Sequence, residues 1–306
     1  GIESTPDSRR AYREMLFSTP GIGECISGVI LHEEAIRQGT ARGRAFPGLL
    51  AQQGIVPGIT VDRGASRLSG SSGEHITEGL DGLRDRVREL AALGARFAKW
   101  RAVIVVSDTR PTRLCLRDNA HALGRYASIC QEQGLVPIVE AEVMTDGTHS
   151  IERCEEVTGA VLREVFEALA DRRVILEGIL LKPNMILPGA MCPTRATSEA
   201  IAAATVRCLQ RFVPAAVPGI VFLSGGQDPL EATAHLSAIN QQPGPKPWKL
   251  TFSFGRALQD EALSAWGGWP ENAAAGQRAF RHRARCVSSA AAGLYFPGME
   301  EHPAVA

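Results

Sequence analysis

Residues 176–189 read LEGILLKPNMILPG. Ile179, Leu180 and Leu181 form an aliphatic run that ends on Lys182, and Pro183 and Asn184 close it. A short apolar run bounded by turn residues reads as a strand buried on both faces, the kind found in parallel sheets. An ammonium group at the carboxyl end of such a strand is costly unless it is paired or used.

Working outward from this stretch, β-rich runs recur at about 25–31 (CISGVIL), 57–62 (PGITVD), 97–105 (FAKWRAVIV), 136–143 (VPIVEAEV), 177–183, 219–224 (GIVFLS) and 249–254 (KLTFSF). Their spacing of ~30–40 residues is that of repeated strand and helix units. Segments of helical period lie between them. In EGLDGLRDRVRELAALG, residues 78–94, Leu80, Leu83, Val87 and Leu90 make one apolar stripe and Gly94 supplies the stop. Similar stripes run through about 6–17, 112–133, 155–170, 198–212, 229–240, 257–266 and 272–292. The basic cluster RHRAR, residues 281–285, is expected on a solvated helix face.

Strands joined by helices imply a parallel sheet, and this many units without a shift of composition favour an α/β fold of the (β/α)8 TIM-barrel type, in one domain spanning 1–306 with about 272–306 as C-terminal helix and tail. A Gly-rich dinucleotide turn is missing, which argues against a doubly wound sheet. Only seven strands can be counted and the first element is a helix. A closed barrel wants one more strand in front of it, so the first strand is expected to be absent from this chain and two sheet edges to be exposed.

The composition excludes several functions. Lys and Arg together number 33, as do Asp and Glu, so no global field draws the 306-residue chain to nucleic acid or to an anionic membrane. No apolar run approaches the ~20 residues of a membrane span, and the first residues carry no signal-peptide core. The 7 cysteines are odd in number and show no CxxC spacing, which points to buried, reduced thiols of a cytoplasmic protein rather than a disulfide framework or a zinc site.

In barrels of this type functional groups gather at the carboxyl ends of the strands. Asp62 ends one strand, Lys99 and Arg101 lie on the next, Glu140 and Glu142 on the one after, and Lys182 ends the fourth of the series. The period of two puts Lys99 with Arg101 on one face and Glu140 with Glu142 on another. Desolvation and a cationic neighbour such as Lys99 favour a neutral amine at Lys182, and a neutral amine is a nucleophile toward carbonyls. Glu140 is placed to move the protons of such an addition. Taken singly, each of these groups could instead be one half of a structural ion pair.

The last two strands add an anion site. One ends in Ser224, Gly225 and Gly226, the other in Gly255 and Arg256. Glycine allows backbone N–H groups close to an anion, a helix N-terminus adds positive potential, and Arg supplies a fork of donors.

FAKWR, LVPIVEAEV, LEGILLKPNM, FLSGGQ and LTFSFGRALQ, in this order and spacing, closely resemble class I fructose-bisphosphate aldolase, the metal-independent Schiff-base enzyme. The likeness runs from about residue 2 to 292. It implies reversible cleavage of fructose 1,6-bisphosphate to dihydroxyacetone phosphate and glyceraldehyde 3-phosphate by a cytoplasmic homotetramer that needs no cofactor and no metal. Lys182 would then be the Schiff-base lysine, Glu140 the acid/base at carbinolamine dehydration, Lys99 its assistant and Glu142 a support of the network. Ser224, Gly225, Gly226, Gly255 and Arg256 would hold the phosphate of the ketose half, with Asp62 and Arg101 also among the substrate-binding residues, Arg101 at the other end of the sugar.

The chain also departs from the family. The N-terminal strand, which in the family carries an aspartate for C–C cleavage and serines for the second phosphate, is expected to be absent from this chain. Thr60 stands in GITVD where the family has a lysine, and the chain ends in EEHPAVA where many members have a terminal tyrosine. Two other readings follow from these differences: a Schiff-base aldolase with relaxed preference for a monophosphate ketose, and a catalytically impaired barrel that serves as a binding or scaffold protein.

Overall fold

The computed structural model describes residues 2–301. In chain order its strands are β1 (Gly28–Leu31), β2 (Val56–Thr60), β3 (Ala65–Arg67), β4 (His75–Thr77), β5 (Phe97–Ile104), β6 (Val136–Val143), β7 (Leu180–Pro183), β8 (Gly219–Phe222) and β9 (Lys249–Phe252). All but β3 and β4 form one parallel sheet, hydrogen-bonded in the order β1-β2-β5-β6-β7-β8-β9. These are the seven runs read from the sequence. The helices are α1 (Pro6–Phe17), α2 (Glu33–Ile36), α3 (Phe46–Gln52), α4 (Leu83–Ala92), α5 (Arg113–Glu132), α6 (Ile151–Asp171), α7 (Ser198–Phe212), α8 (Pro229–Gln241), α9 (Arg256–Trp266) and α10 (Ala273–Ala291). The strands curl into an incomplete α/β barrel. Among the described residues β1 and β9 are its two edges, and the space between them is lined by Gly28, Ile30, Phe252 and Ser253.

Local sequence sets the boundaries. Thr112, Ser150 and Thr197 stand just before α5, α6 and α7, and each side chain accepts a backbone N–H of the first turn that the helix cannot satisfy itself. The chain leaves α4 through Gly94 at φ +109°, a conformation open to glycine and strained for other residues.

Along β5 the side chains alternate. Ala98, Trp100, Ala102 and Ile104 are buried, whereas Phe97, Lys99, Arg101 and Val103 are half-buried on the other face. Trp100 stacks on Tyr126 of α5 with ring centroids 5.6 Å apart, and the Tyr126 hydroxyl donates to the Ile138 carbonyl at 3.2 Å. Helix α5 is thereby fastened to β5 and β6 from outside, and the alternate residues are left for the polar interior. Strand β6 is buried from Pro137 to Val143 on both faces, its two glutamates included.

The structure adds elements the hydrophobic pattern did not reveal. Strands β3 and β4 pair as an antiparallel hairpin apart from the main sheet, and α2 and α3 are too short to generate a periodic stripe. It also corrects the expectation for RHRAR. Arg281 and Arg285 are not buried, but Arg283 is only 1% exposed, because α10 turns that face toward α9 and the C-terminal segment, where Glu261 and Glu300 meet its guanidinium. Residues two positions apart on a helix do not share a face, so Arg283 points away from both Arg281 and Arg285.

Candidate active site

Adjacent parallel strands place residues side by side at their carboxyl ends, and the register here does so for three of the predicted groups. Arg101 lies beside Glu140, and Glu140 lies beside Lys182, across β5, β6 and β7. Lys182 Nζ is 3.0 Å from Glu140 Oε1, and Lys99 Nζ is 3.5 Å from Glu140 Oε2. One carboxylate therefore sits between two amines. Glu140 is 3% exposed and Lys182 8%, so water contributes little to their charge balance.

Lys99 is held from the other side by Asp62, whose Oδ2 is 3.1 Å from Nζ. The same Asp62 oxygen accepts from the Thr60 hydroxyl at 3.1 Å and from the Arg101 N–H at 3.3 Å. Arg101 forms an ion pair with Glu142, and this hydrogen bond raises the guanidinium pKa above its ordinary value despite the opposing effect of burial. The sequence suggested a cationic neighbour for Lys182; the group in contact with its Nζ is an anion. That contact puts the Glu140 carboxyl within proton-exchange distance of Lys182 Nζ.

The LLKPN motif fixes the position of Lys182 from behind. Buried Asn184 accepts the Val143 N–H at 3.0 Å through Oδ1, and its amide donates to Thr158 Oγ1 at 3.3 Å and to the Met185 carbonyl at 3.0 Å. It clamps the ends of β6 and β7 to α6. A polar residue with all its groups satisfied in this way orients the strand ends that carry Glu140 and Lys182.

A cavity of about 330 Å³ reaches Lys99 and Lys182 and is also lined by Thr60, Ser253, Gly255 and His32. His32 and Ser253 were not singled out in the sequence. His32 follows β1 without a motif of its own, and only the closure of the sheet brings it to this cavity. Burial, and after it the charge of Lys99, hold the His32 imidazole pKa below its ordinary value.

The SGG and GR stretches occupy adjacent strand ends. Phe222 pairs with Phe252, the Leu223 N–H donates to the Pro183 carbonyl at 3.1 Å, and the Ser253 N–H donates to the Phe222 carbonyl at 2.8 Å. The loops that follow β7, β8 and β9 thus start side by side. Gly225 and Gly226 have φ of +61° and +79°, and the Gly225 carbonyl accepts from the Thr145 hydroxyl at 2.7 Å. Gly255 caps α9 and Arg256 begins it, exposed. Of these residues Gly255 lines the cavity of Lys99 and Lys182; Ser224, Gly225, Gly226 and Arg256 stand outside its wall. Among the described residues no group of three metal-ligating side chains converges here, and the one such group lies at α10 and the segment after it.

The parallel sheet, curled with its polar cluster at the carboxyl ends of the strands, defines an α/β-barrel protein built for chemistry at that end. The chain belongs to the class-I fructose-bisphosphate aldolase family, whose model matches residues 1–305. It is 53% identical over 294 residues to the cytosolic fructose-bisphosphate aldolase 4 of Arabidopsis thaliana, covering 96% of this chain and 75% of that one. It is 52% identical over 295 residues to fructose-bisphosphate aldolase B of Gallus gallus, covering 96% and 81%. The fold superposes on the fructose-bisphosphate aldolase of Plasmodium falciparum, solved with TRAP and a small-molecule inhibitor, with a TM-score of 0.95 and 48% identity over 97% of this chain and 86% of that one. The (β/α)-barrel class, the lyase activity and the Schiff-base chemistry expected from the sequence accord with this membership. Among the described residues no helix is long and apolar enough to cross a membrane.

Proposed function

We propose that Lys182 is the residue that forms the imine with the ketose, and that Glu140 and Lys99 carry its proton traffic. The observation that supports this most is the buried Glu140 carboxylate between two amines, 3.0 Å from Lys182 Nζ and 3.5 Å from Lys99 Nζ. The substrate is fructose 1,6-bisphosphate in one direction, and dihydroxyacetone phosphate with glyceraldehyde 3-phosphate in the other.

In this scheme the Lys182 ammonium first gives a proton to Glu140, and the freed amine adds to the C2 carbonyl to form a carbinolamine. Glu140 returns the proton to the C2 hydroxyl, the C–O bond breaks, and water leaves as the iminium forms. The iminium then accepts the electron pair of the C3–C4 bond as a base takes the C4 hydroxyl proton. Glyceraldehyde 3-phosphate departs, and the enamine left on Lys182 is protonated at C3 and hydrolysed. Lys99, held by Asp62 at 3.1 Å, lies 3.5 Å from the other oxygen of Glu140 and assists its proton transfers.

Ser224, Gly225, Gly226, Gly255 and Arg256 form the phosphate site for the ketose half, with backbone N–H groups and the α9 N-terminus as donors and Arg256 as cation. Glu142 holds Arg101, and Arg101 faces the far end of the sugar. Asp62 acts chiefly through Lys99. Residues 1–306 work as one catalytic unit, assembled as a homotetramer in the cytosol.

Borohydride reduction in the presence of dihydroxyacetone phosphate, followed by peptide mass analysis, tests the assignment. Reduced adduct at Lys182 is the expected result; a folded protein that gains no mass there overturns it. Sedimentation equilibrium of the same sample tests the four-subunit assembly.

A further inference from the structure

We propose that His282 Nε2, Cys286 Sγ and a carboxylate oxygen of Glu300 form a zinc site that ties the C-terminal segment to α10. It is independent of the imine site, since none of the three residues lines the cavity of Lys99 and Lys182.

His282 and Cys286 are four residues apart on α10, so they project from the same face on successive turns. Two ligands at this spacing on one helix are a common half of a zinc site. The third comes from the short segment after the helix, where Pro297–Met299 form a 3-10 turn and Glu300 follows. The ligand atoms of the three side chains all lie within 4.8 Å of one another.

The two separations measured from His282 Nε2 fit a shared ion. His282 Nε2 is 3.8 Å from Cys286 Sγ and 3.4 Å from Glu300 Oε2. Tetrahedral zinc with Zn–S of about 2.3 Å and Zn–N and Zn–O of about 2.0–2.1 Å places N and S about 3.5 Å apart and N and O about 3.3 Å apart. One nitrogen thus faces both the thiol and the carboxylate. In a neutral imidazole Nε2 carries either a lone pair, which can accept from the thiol but does nothing for the carboxylate, or an N–H, which can donate to the carboxylate and leaves the thiol without that acceptor.

Charge and hydrogen bonding point the same way. Glu300 Oε2 already engages the Arg283 guanidinium, while Oε1 is buried without a hydrogen-bond partner. The oxygen nearest His282 is Oε2, so an ion bound there shares that oxygen with Arg283 or draws in Oε1, whose buried lone pairs have no partner. The acidic groups Glu261 and Glu300 outnumber Arg283 by one charge around the cluster. A divalent ion bound to one thiolate carries a single net positive charge, which offsets this excess. On binding, the S–H bond of Cys286 breaks, its proton goes to solvent, and the S–Zn bond forms with no change of oxidation state. Thiolate, imidazole and carboxylate together suit zinc rather than calcium or magnesium, which take oxygen ligands.

The test is cobalt substitution in the full chain after chelator treatment. Cobalt(II) is expected to give a thiolate-to-metal charge-transfer band that saturates at one ion per chain, and zinc is expected to displace it. Cys286→Ser should abolish the band, and His282→Ala should weaken binding by more than about tenfold, since even residues that only orient metal ligands typically contribute that much. Borohydride trapping at Lys182 should be unchanged in both variants, which shows that each still folds. A wild-type chain without the band, or a band retained in Cys286→Ser, overturns the proposal. Should Cys286→Ser fail to fold, an unaltered affinity in His282→Ala overturns it equally.

Discussion

Glu140 and Lys182 are register partners on neighbouring strands, and their side chains meet at 3.0 Å inside a region almost closed to water. The pair is not a terminal ion pair, because Lys99 reaches the other carboxylate oxygen and Asp62 holds Lys99 in turn. The four groups thus form one continuous chain of contacts, and the proton relay proposed for Lys182, Glu140 and Lys99 needs little rearrangement of heavy atoms.

Replacing Glu140 by Gln keeps the volume and removes the proton acceptor. Trapping of dihydroxyacetone phosphate by borohydride is expected to slow by about 10²–10⁴-fold, the range of a lost acid/base group. Far-UV circular dichroism separates this from unfolding. A rate within about threefold of wild type would remove Glu140 from the mechanism.

Asn184 should matter for stability and, through it, for Lys182. The Asn184→Ala variant leaves the Val143 N–H without its acceptor in a buried position. The expected loss is about 1–3 kcal/mol in a urea titration, the cost of an orphaned buried donor. An unchanged midpoint would mean that the clamp between β6, β7 and α6 is redundant.

How much of this was legible beforehand depends on whether a feature is local. All seven strands of the sheet were readable because each is a short β-rich run, and Lys182 stood out because it ends an aliphatic one. The period of two put Lys99 on a face with Arg101 and Glu140 on a face with Glu142, but not Glu140 between Lys99 and Lys182, because parallel register is set by intervening helices. His32 and Ser253 reach the cavity only through closure of the sheet and had no local signal. The buried face of α10 was missed for a related reason. RHRAR looks solvated by composition, and the burial of Arg283 depends on Glu261 and Glu300, which belong to other segments of the chain. The zinc-type spacing there is His-x-x-x-Cys, which a search for paired cysteines passes over.

Arg256 should govern substrate affinity rather than the chemical step. With Arg256→Ala the concentration of dihydroxyacetone phosphate that half-saturates trapping is expected to rise about 10–100-fold, as for loss of charge-assisted hydrogen bonds, with a nearly unchanged maximal rate. A fall in maximal rate alone would place Arg256 outside the phosphate site.

Stability should decline on mild acidification through His235. This residue is buried on α8, its Nδ1 lies 2.6 Å from Gln227 Oε1, and burial lowers its pKa from the ordinary 6.5. The unfolded chain therefore binds the proton first as pH falls. The stabilisation is complete above pH ~6.5 and is lost as pH drops from there through the lower folded pKa. Melting temperatures between about pH 8 and 5 should fall less steeply in His235→Gln than in wild type, and parallel curves would refute the assignment. Since Gln227 also donates to the Ser224 carbonyl at 2.6 Å, phosphate affinity should weaken over the same interval.

Thr60 lines the cavity, and its hydroxyl is bonded to Asp62 where the family resemblance leads one to expect a lysine. Thr60 therefore brings no cation to this wall of the cavity. Introducing that cation with Thr60→Lys should tighten fructose 1,6-bisphosphate relative to fructose 1-phosphate by about tenfold, the value of one additional partly buried charge pair at ~1.4 kcal/mol. Borohydride trapping of each ketose on Lys182 measures this without requiring carbon–carbon cleavage. The introduced ammonium would also share Asp62 with Lys99, so some loss of stability is expected alongside the gain. An unchanged ratio between the two sugars would show that the second phosphate lies elsewhere than over β2.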